Sequence, residues 1–216
     1  MQISSIKSSK ILNRVWIAFS DSSYLPFFID DVVKLGLIKN QEIDEGLFQK
    51  IIQTSLVFVG REYALRQIAI SPKTEKIIGQ KLKLFFKKTI LKYKLNINNL
   101  NLDEINQQII DFLKERKLLN DQDFIKYFVK KNSKKSHQQL IYMLHQFGID
   151  QNLLLDIKLN QENDLDKIKN ILSKKNIDKT KLIDFNEKNK LKASLFRRGF
   201  NLSDINTAID DLINFR

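Results

Sequence analysis

Two histidines, His137 and His145, sit eight positions apart and are the only imidazoles in the 216-residue chain. Paired imidazoles can ligate a metal, but a zinc site needs three or four donors, drawn from histidine, cysteine and carboxylate. No acidic residue lies between 124 and 149, and the chain has no cysteine, so this pair is read as surface histidines and no metal is expected. The acid pairs Asp30-Asp31 and Asp210-Asp211 have the residue type for general acid–base work. They read instead as helix-terminal or solvated carboxylates. No loop ends in Gly-Lys-Ser/Thr, and with six glycines in all a phosphate cradle of that kind is not expected. No nucleophile elbow is present. Catalysis is not predicted, and neither is a cofactor.

The remaining candidate chemistry is charge. The formal net charge is +12, yet residues 1 to 60 hold six basic and six acidic residues, so the excess lies wholly in the rest. Residues 73 to 94 contain eight Lys and one Glu, residues 124 to 149 five Lys and no acid, and residues 188 to 198 five Lys/Arg and no acid. Clustered cations suit an anionic partner, whether phosphates that release counterions or an acidic protein groove. The plainer alternative is a Lys-, Asn- and Ile-rich composition that places lysine on any solvated face. Aromatic side chains mostly follow the apolar stripes and are assigned to packing in preference to base stacking, with Tyr142 the exception.

The elements that must position these charges announce themselves by repetition. The phrase Leu102-Asp103-Glu104-Ile105-Asn106-Gln107-Gln108-Ile109 returns 100 positions later as Leu202-Ser203-Asp204-Ile205-Asn206-Thr207-Ala208-Ile209, and a weaker copy lies between. A second periodicity maps Leu140, Leu144 and Gly148 onto Leu191, Leu195 and Gly199 at a separation of 51. Both glycines read as left-handed helix stops, after which Ile149 and Phe200 fold back onto the preceding helix. Tandem helical units usually present surface to a large partner and do not enclose a small substrate.

The resulting fold class is mainly α: three tandem three-helix modules in an elongated arrangement, preceded by a small N-terminal β-hairpin and helix. The expected boundaries are 1–60 for the N-terminal element, then 61–118, 119–161 and 162–216 for the modules. Arg14 to Phe19 and Tyr24 to Ile29 form the hairpin, with the second strand an edge or interrupted at Pro26. Asp30 and Asp31 cap a brief helix ending at Gly36, and a longer helical pattern runs from Asn40 through Ile43, Leu47, Ile51 and Leu56. Module 1 opens with a helix over Arg61 to Ile70, then a second with Ser71 as cap and Pro72 in its first position. In that second helix Ile78, Leu82, Phe85 and Phe86 share a face. Lys76, Lys83, Lys87 and Lys94 fall within about 20° of one line opposite. An Asn-rich loop over 96–101 follows, and Asn120 or Asp121 caps the first helix of module 2.

The run Leu191-Lys192-Ala193-Ser194-Leu195-Phe196-Arg197-Arg198-Gly199-Phe200-Asn201-Leu202-Ser203-Asp204-Ile205 closely resembles the C-terminal signature of RecX proteins. Leu118-Leu119-Asn120-Asp121-Gln122-Asp123-Phe124, continuing through Tyr127, Val129, Leu140, Leu144 and Gly148-Ile149, is similar to the middle module of that family. The likeness spans residues 60 to 216. It departs at Ile125, where the family usually has Ala, and at the missing glycine after Phe85-Phe86-Lys87-Lys88. The resemblance implies a cytoplasmic, non-enzymatic modulator, usually an inhibitor, of the RecA recombinase, bound in the groove of the RecA filament on DNA and depressing its ATPase, strand-exchange and coprotease activities. The candidate contacts with the RecA filament or DNA are Lys76, Lys83 and Lys87, then Lys130, Lys131, Lys134 and Lys135, then Lys190, Arg197 and Arg198. Direct contact with single- or double-stranded DNA is possible, a monomer is expected, and no membrane is involved. The alternatives are a basic helical-repeat protein that binds DNA or RNA without a recombinase, and a scaffold for an acidic protein.

The longest uninterrupted apolar stretch of interest, Leu56-Val57-Phe58-Val59, is far short of the ~18 residues of a membrane helix. The first residues, Met1-Gln2-Ile3-Ser4-Ser5-Ile6-Lys7, lack the apolar core of a signal peptide.

Overall fold

The computed structural model describes residues 1–93, 95, 100–154, 163–174 and 184–214. They form two compact units, Met1–Asn120 and Asp121–Arg216. The protein is mainly helical with one small antiparallel sheet at its N-terminus.

In the first unit the sheet has three strands in the order β1 (Ile3–Ser8), β2 (Arg14–Phe19) and β3 (Tyr24–Phe28). The β2–β3 hairpin is as expected, with Val15 opposite Phe27 and Ile17 opposite Leu25. Pro26 stands on the edge strand, where its missing N–H costs no ladder bond. The additional strand β1 escapes a pattern reading because Ile3-Ser4-Ser5-Ile6-Lys7-Ser8 has only two apolar residues and no alternation. Ile3, Val15, Ile17, Phe19, Leu25 and Phe27 make the buried face. Helix α1 (Ile29–Lys34) follows directly. Its N-cap is Phe28, with no side-chain cap bond, so Asp30 and Asp31 lie in the first turn and favour the helix dipole without capping it.

Helix α2 runs unbroken over Glu45–Ile70, capped by Asp44 Oδ1, which accepts the Leu47 N–H at 2.7 Å. The expected break after residue 60, and a separate helix from Arg61, are therefore corrected: the boundary falls inside α2. No proline or polar run interrupts this stretch. Gly60 continues the helix and marks its closest approach to neighbours, since a Cβ there would lie 2.5 Å from Ile109 Cδ1 and 2.9 Å from Phe86 Cζ. One α2 therefore serves both the sheet and the helices α3 (Glu75–Tyr93) and α4 (Leu102–Glu115). The N-terminal element and the first helical group share one apolar core, in which Phe19, Phe48, Ile52, Leu82, Phe86 and Ile109 are buried.

Helix α3 starts at Glu75, not at Pro72. Thr74 is its cap, with Oγ1 accepting the Ile77 N–H at 3.2 Å, so the expected Ser71 cap is replaced. Ile78, Leu82 and Phe86 are buried, and Phe85 is partly buried and stacks on Tyr63 at 4.4 Å. Residues 94 and 96–99, which include Lys94 and most of the expected Asn-rich loop, lie outside the described residues. The three-residue cap of the repeated phrase is the same in both copies. Asn101 Oδ1 accepts from the amides of Asp103 and Glu104, and Asn201 Oδ1 from that of Asp204 at 2.7 Å. In each copy the asparagine amide also reaches the third residue, Glu104 at 2.8 Å and Asp204 at 2.6 Å, a variant of the capping box.

Most aromatics are core residues as expected, but Trp16, Tyr24 and Tyr93 form a second exception. Their rings meet at 5.6, 5.3 and 6.3 Å, and Tyr24 is exposed.

The second unit contains α5 (Asp121–Lys131), α6 (His137–Gln146), a helical segment over 151–154, then α7 (Asp164–Ser173), α8 (Phe185–Phe196) and α9 (Leu202–Asn214). Gly148 and Gly199 have φ of +82° and +86°, the left-handed region that favours glycine. Ile149 and Phe200 are buried directly after them. Phe124, Phe128 and Phe147 pack ring to ring at 5.3–5.8 Å. Ile168, Leu172, Leu195, Phe200, Ile205 and Ile209 form the core beneath α7, α8 and α9.

Candidate nucleic-acid and partner interface

The sequence-derived cations separate into committed and available groups. On α3, Lys76, Lys83 and Lys87 are all exposed, opposite the buried Ile78, Leu82 and Phe86. Lys83 pairs with Asp103 at 2.9 Å, a solvent-exposed pair of small energetic weight. Lys190 is held by Glu187 at 2.7 Å, one turn before it on α8. That hydrogen bond, reinforced by the same carboxylate's charge, holds the Lys190 ammonium above the ordinary lysine range.

In the second unit Lys130 and Lys131 end α5, Lys134 and Lys135 occupy the turn into α6, and Arg197 and Arg198 end α8. Lys130, Lys131, Lys134 and Arg197 are exposed, while Lys135 and Arg198 are partly buried. Lys131 lies over the Tyr127 ring at 5.6 Å. The two turns are fastened to each other: the Ser136 N–H donates to the Arg198 carbonyl at 2.9 Å. Ser136 is fully buried, and its Oγ accepts the Gln139 N–H at 3.1 Å to cap α6. A third element joins them, because Asp164 at the start of α7 accepts the His137 N–H at 3.0 and 3.2 Å on its two carboxylate oxygens. His137 is accordingly half-buried, where the helical projection places it in solvent; His145 is exposed as expected.

Where these three elements meet there is a cavity of about 270 Å³ lined by Ser133, Lys134, Lys167, Asn170, Lys174 and Arg198. Lys134 and Arg198 belong to the sequence-derived candidates. Lys167 and Lys174 do not, because the segment Asp164-Leu165-Asp166-Lys167 has two acids to one base and reads as an acidic helix start. The available signal is their spacing: seven residues is two helical turns, so both lysines stand on one face of α7. No cluster of three or more His, Asp or Glu side chains able to hold a metal occurs among the described residues. No described helix is long and apolar enough to cross a membrane.

Residues 162–209 match the family profile described as "RecX, third three-helix domain", the stretch that contains α7, α8 and the first part of α9. Over 226 aligned positions the chain is 28% identical to the regulatory protein RecX of Clostridium perfringens, covering 99% of this chain and 97% of that one. Along nearly its whole length the chain is similar to regulatory proteins named RecX. The regulatory protein RecX of Clostridium tetani is 29% identical across 93% of this chain and 88% of its own. A crystal structure of regulatory protein RecX superposes with a TM-score of 0.60 at 20% identity, covering 97% of this chain and 98% of that one. The crystal structure of RecX from Lactobacillus salivarius gives 0.54 at 21% identity over 74% of this chain. These structural likenesses carry the fold. The profile thus covers α7, α8 and the start of α9, and with them the turn after α8 that carries Arg197 and Arg198. The relatives are named as regulatory proteins, not as enzymes.

Proposed function

We propose that this chain is a non-enzymatic RecX-family regulator that docks on RecA nucleoprotein filaments and restrains their growth, ATPase, strand-exchange and coprotease activities. The identity of the partner follows from the family resemblance. The observation that supports a docking role is local: six cations, Lys130, Lys131, Lys134, Lys135, Arg197 and Arg198, project from helix ends and turns that the Ser136–Arg198 backbone bond holds together. Such a frame pre-organises charge and reduces the ordering cost of association. Arginine forks engage carboxylate or phosphate bidentately, which makes Arg197 and Arg198 the sharpest contacts. On the first unit the exposed α3 lysines Lys76, Lys83 and Lys87 are further proposed contacts, and Lys190 is another on the second. Lys83 and Lys190 contribute less to it because each already has a carboxylate partner.

The test is RecA ATPase on single-stranded DNA with this protein added below stoichiometry. A regulator of filaments depresses turnover at substoichiometric amounts, whereas a competitor for bare DNA needs near-saturating amounts. Charge reversal of Arg197 and Arg198 is expected to relieve the inhibition; undiminished inhibition removes those two residues from the interface.

A further inference from the structure

We infer that the cavity between the α5–α6 turn, α7 and the end of α8 is a phosphate-binding site, and that it holds a phosphodiester of a nucleic-acid backbone. The inference is independent of the recombinase reading, because it concerns a pocket in this chain and is tested with no RecA present.

Among the described residues, four cations, Lys134, Lys167, Lys174 and Arg198, line this space and no carboxylate does. Lys167 Nζ lies 3.4 Å from Asp164, a carboxylate that also receives the His137 N–H, and Lys134, Lys174 and Arg198 bring further positive charge to the cavity. Chance clustering of flexible surface lysines is a poor description of it, since Lys167 is only 9% exposed. Withdrawing an ammonium from water is costly unless charge or hydrogen bonds compensate it.

Arg198 supplies the second observation. Its Nη1 is buried and has no hydrogen-bond acceptor among the described residues. A buried guanidinium N–H left without an acceptor costs about 1–3 kcal/mol or more, and a turn of the Arg198 head toward an oxyanion in the cavity removes that cost. Ser133 and Asn170 add a hydroxyl and an amide at the rim, the neutral donors that phosphate oxygens accept from readily. The volume suits such a group. At about 30 Å³ per liquid water, 270 Å³ accommodates a tetrahedral oxyanion with several waters.

Position favours a polymer's phosphate over a small free anion. Lys134 and Lys174 at the mouth are exposed, and Lys130, Lys131 and Arg197 are exposed on the adjoining helix ends. A chain of phosphates can engage the pocket and these flanking cations together, whereas a single anion engages the pocket alone.

Binding of a fluorescent single-stranded oligonucleotide and of a duplex, measured by anisotropy across a salt series, tests the assignment in the full chain. Lys134→Gln/Lys174→Gln removes two exposed mouth cations at little risk to folding, and Lys126→Gln, on exposed α5 surface away from the pocket, serves as the control. The double variant is expected to lower the slope of log K against log salt by about 2, and the control by less than 1. Inorganic phosphate at matched ionic strength is expected to raise the Tm of the wild type more than that of the double variant. Arg198→Gln, checked for an unchanged circular dichroism spectrum, is expected to weaken binding to all sequences alike. Absence of DNA binding by the wild type, or an unchanged slope in the double variant, overturns the assignment. A phosphate-dependent Tm rise without any DNA effect overturns it too, since the pocket would then serve a free anion.

Discussion

The amide of Ser136 donates to the carbonyl of Arg198 at 2.9 Å, across 62 positions of sequence. This bond joins the cap of α6 to the last turn of α8, and Gly199, the next residue, shows how tightly. A Cβ at Gly199 would lie 2.7 Å from both Gln139 Cβ and Ser136 Oγ. The glycine is demanded twice, once by its φ of +86° and once by the neighbours it admits.

Gly36 and Gly199 share a left-handed backbone but differ in consequence. Gly36→Ala carries the left-handed backbone cost alone, about 1–2 kcal/mol, because a Cβ there would meet nothing within 4 Å. Gly199→Ala adds an overpacking cost of about 1–3 kcal/mol. Urea denaturation of the two variants checks the ordering, which is expected to place Gly199→Ala well below Gly36→Ala in stability.

Two glycines of α2 are expected to respond with opposite signs. Gly46 lies in the exposed first turn, where a Cβ meets only Asp44 Oδ1 at 3.5 Å, so Gly46→Ala stabilises by about 0.5–1 kcal/mol through helix propensity. Gly60→Ala sets a methyl against Ile109 and Phe86, and destabilises by about 1–3 kcal/mol despite the same propensity gain. Thermal denaturation of the pair reads the signs directly.

Asp164 is the anion on which the second unit's three elements converge. Asp164→Ala removes the acceptor of the His137 amide bond and the carboxylate beside the buried Lys167 ammonium, at a cost of about 2–4 kcal/mol. Asp164→Asn keeps an acceptor for His137 and costs less. Comparison of the two denaturation midpoints separates the amide bond from the charge.

Lys190 and Lys134 differ as contributors to any anionic interface. The Glu187 carboxylate raises the Lys190 pKa, so the stability this pair adds is fully present below the ordinary lysine pKa and is lost only as pH rises through the raised value. The pair therefore persists across the neutral range. Lys190→Gln is expected to change the salt dependence of filament or DNA binding less than Lys134→Gln does. Equal effects would assign Lys190 a direct contact.

The features legible in the sequence are those with a period. Apolar positions three and four apart chose the buried faces of α3, α4 and α9, and the Gly148 and Gly199 stops marked where helices end. Strand β1 was not legible because two isoleucines among serines and a lysine have no strong pattern of their own. It becomes a strand by pairing with β2, with Ile3 opposite Phe19. The continuity of α2 was obscured for a related reason: its buried residues nearly encircle the helix, serving the sheet on one side and α3 and α4 on others, so no single stripe runs through it.

By itself the sequence determined the helical class, the helix stops and the existence of cation-rich segments, because each is written in neighbours within one or two turns. The tertiary structure alone decided that Lys134, Lys167, Lys174 and Arg198 share one cavity. Their meeting depends on bonds between residues far apart in the chain, Ser136 to Arg198 and His137 to Asp164, and no local periodicity encodes which distant backbone groups will pair.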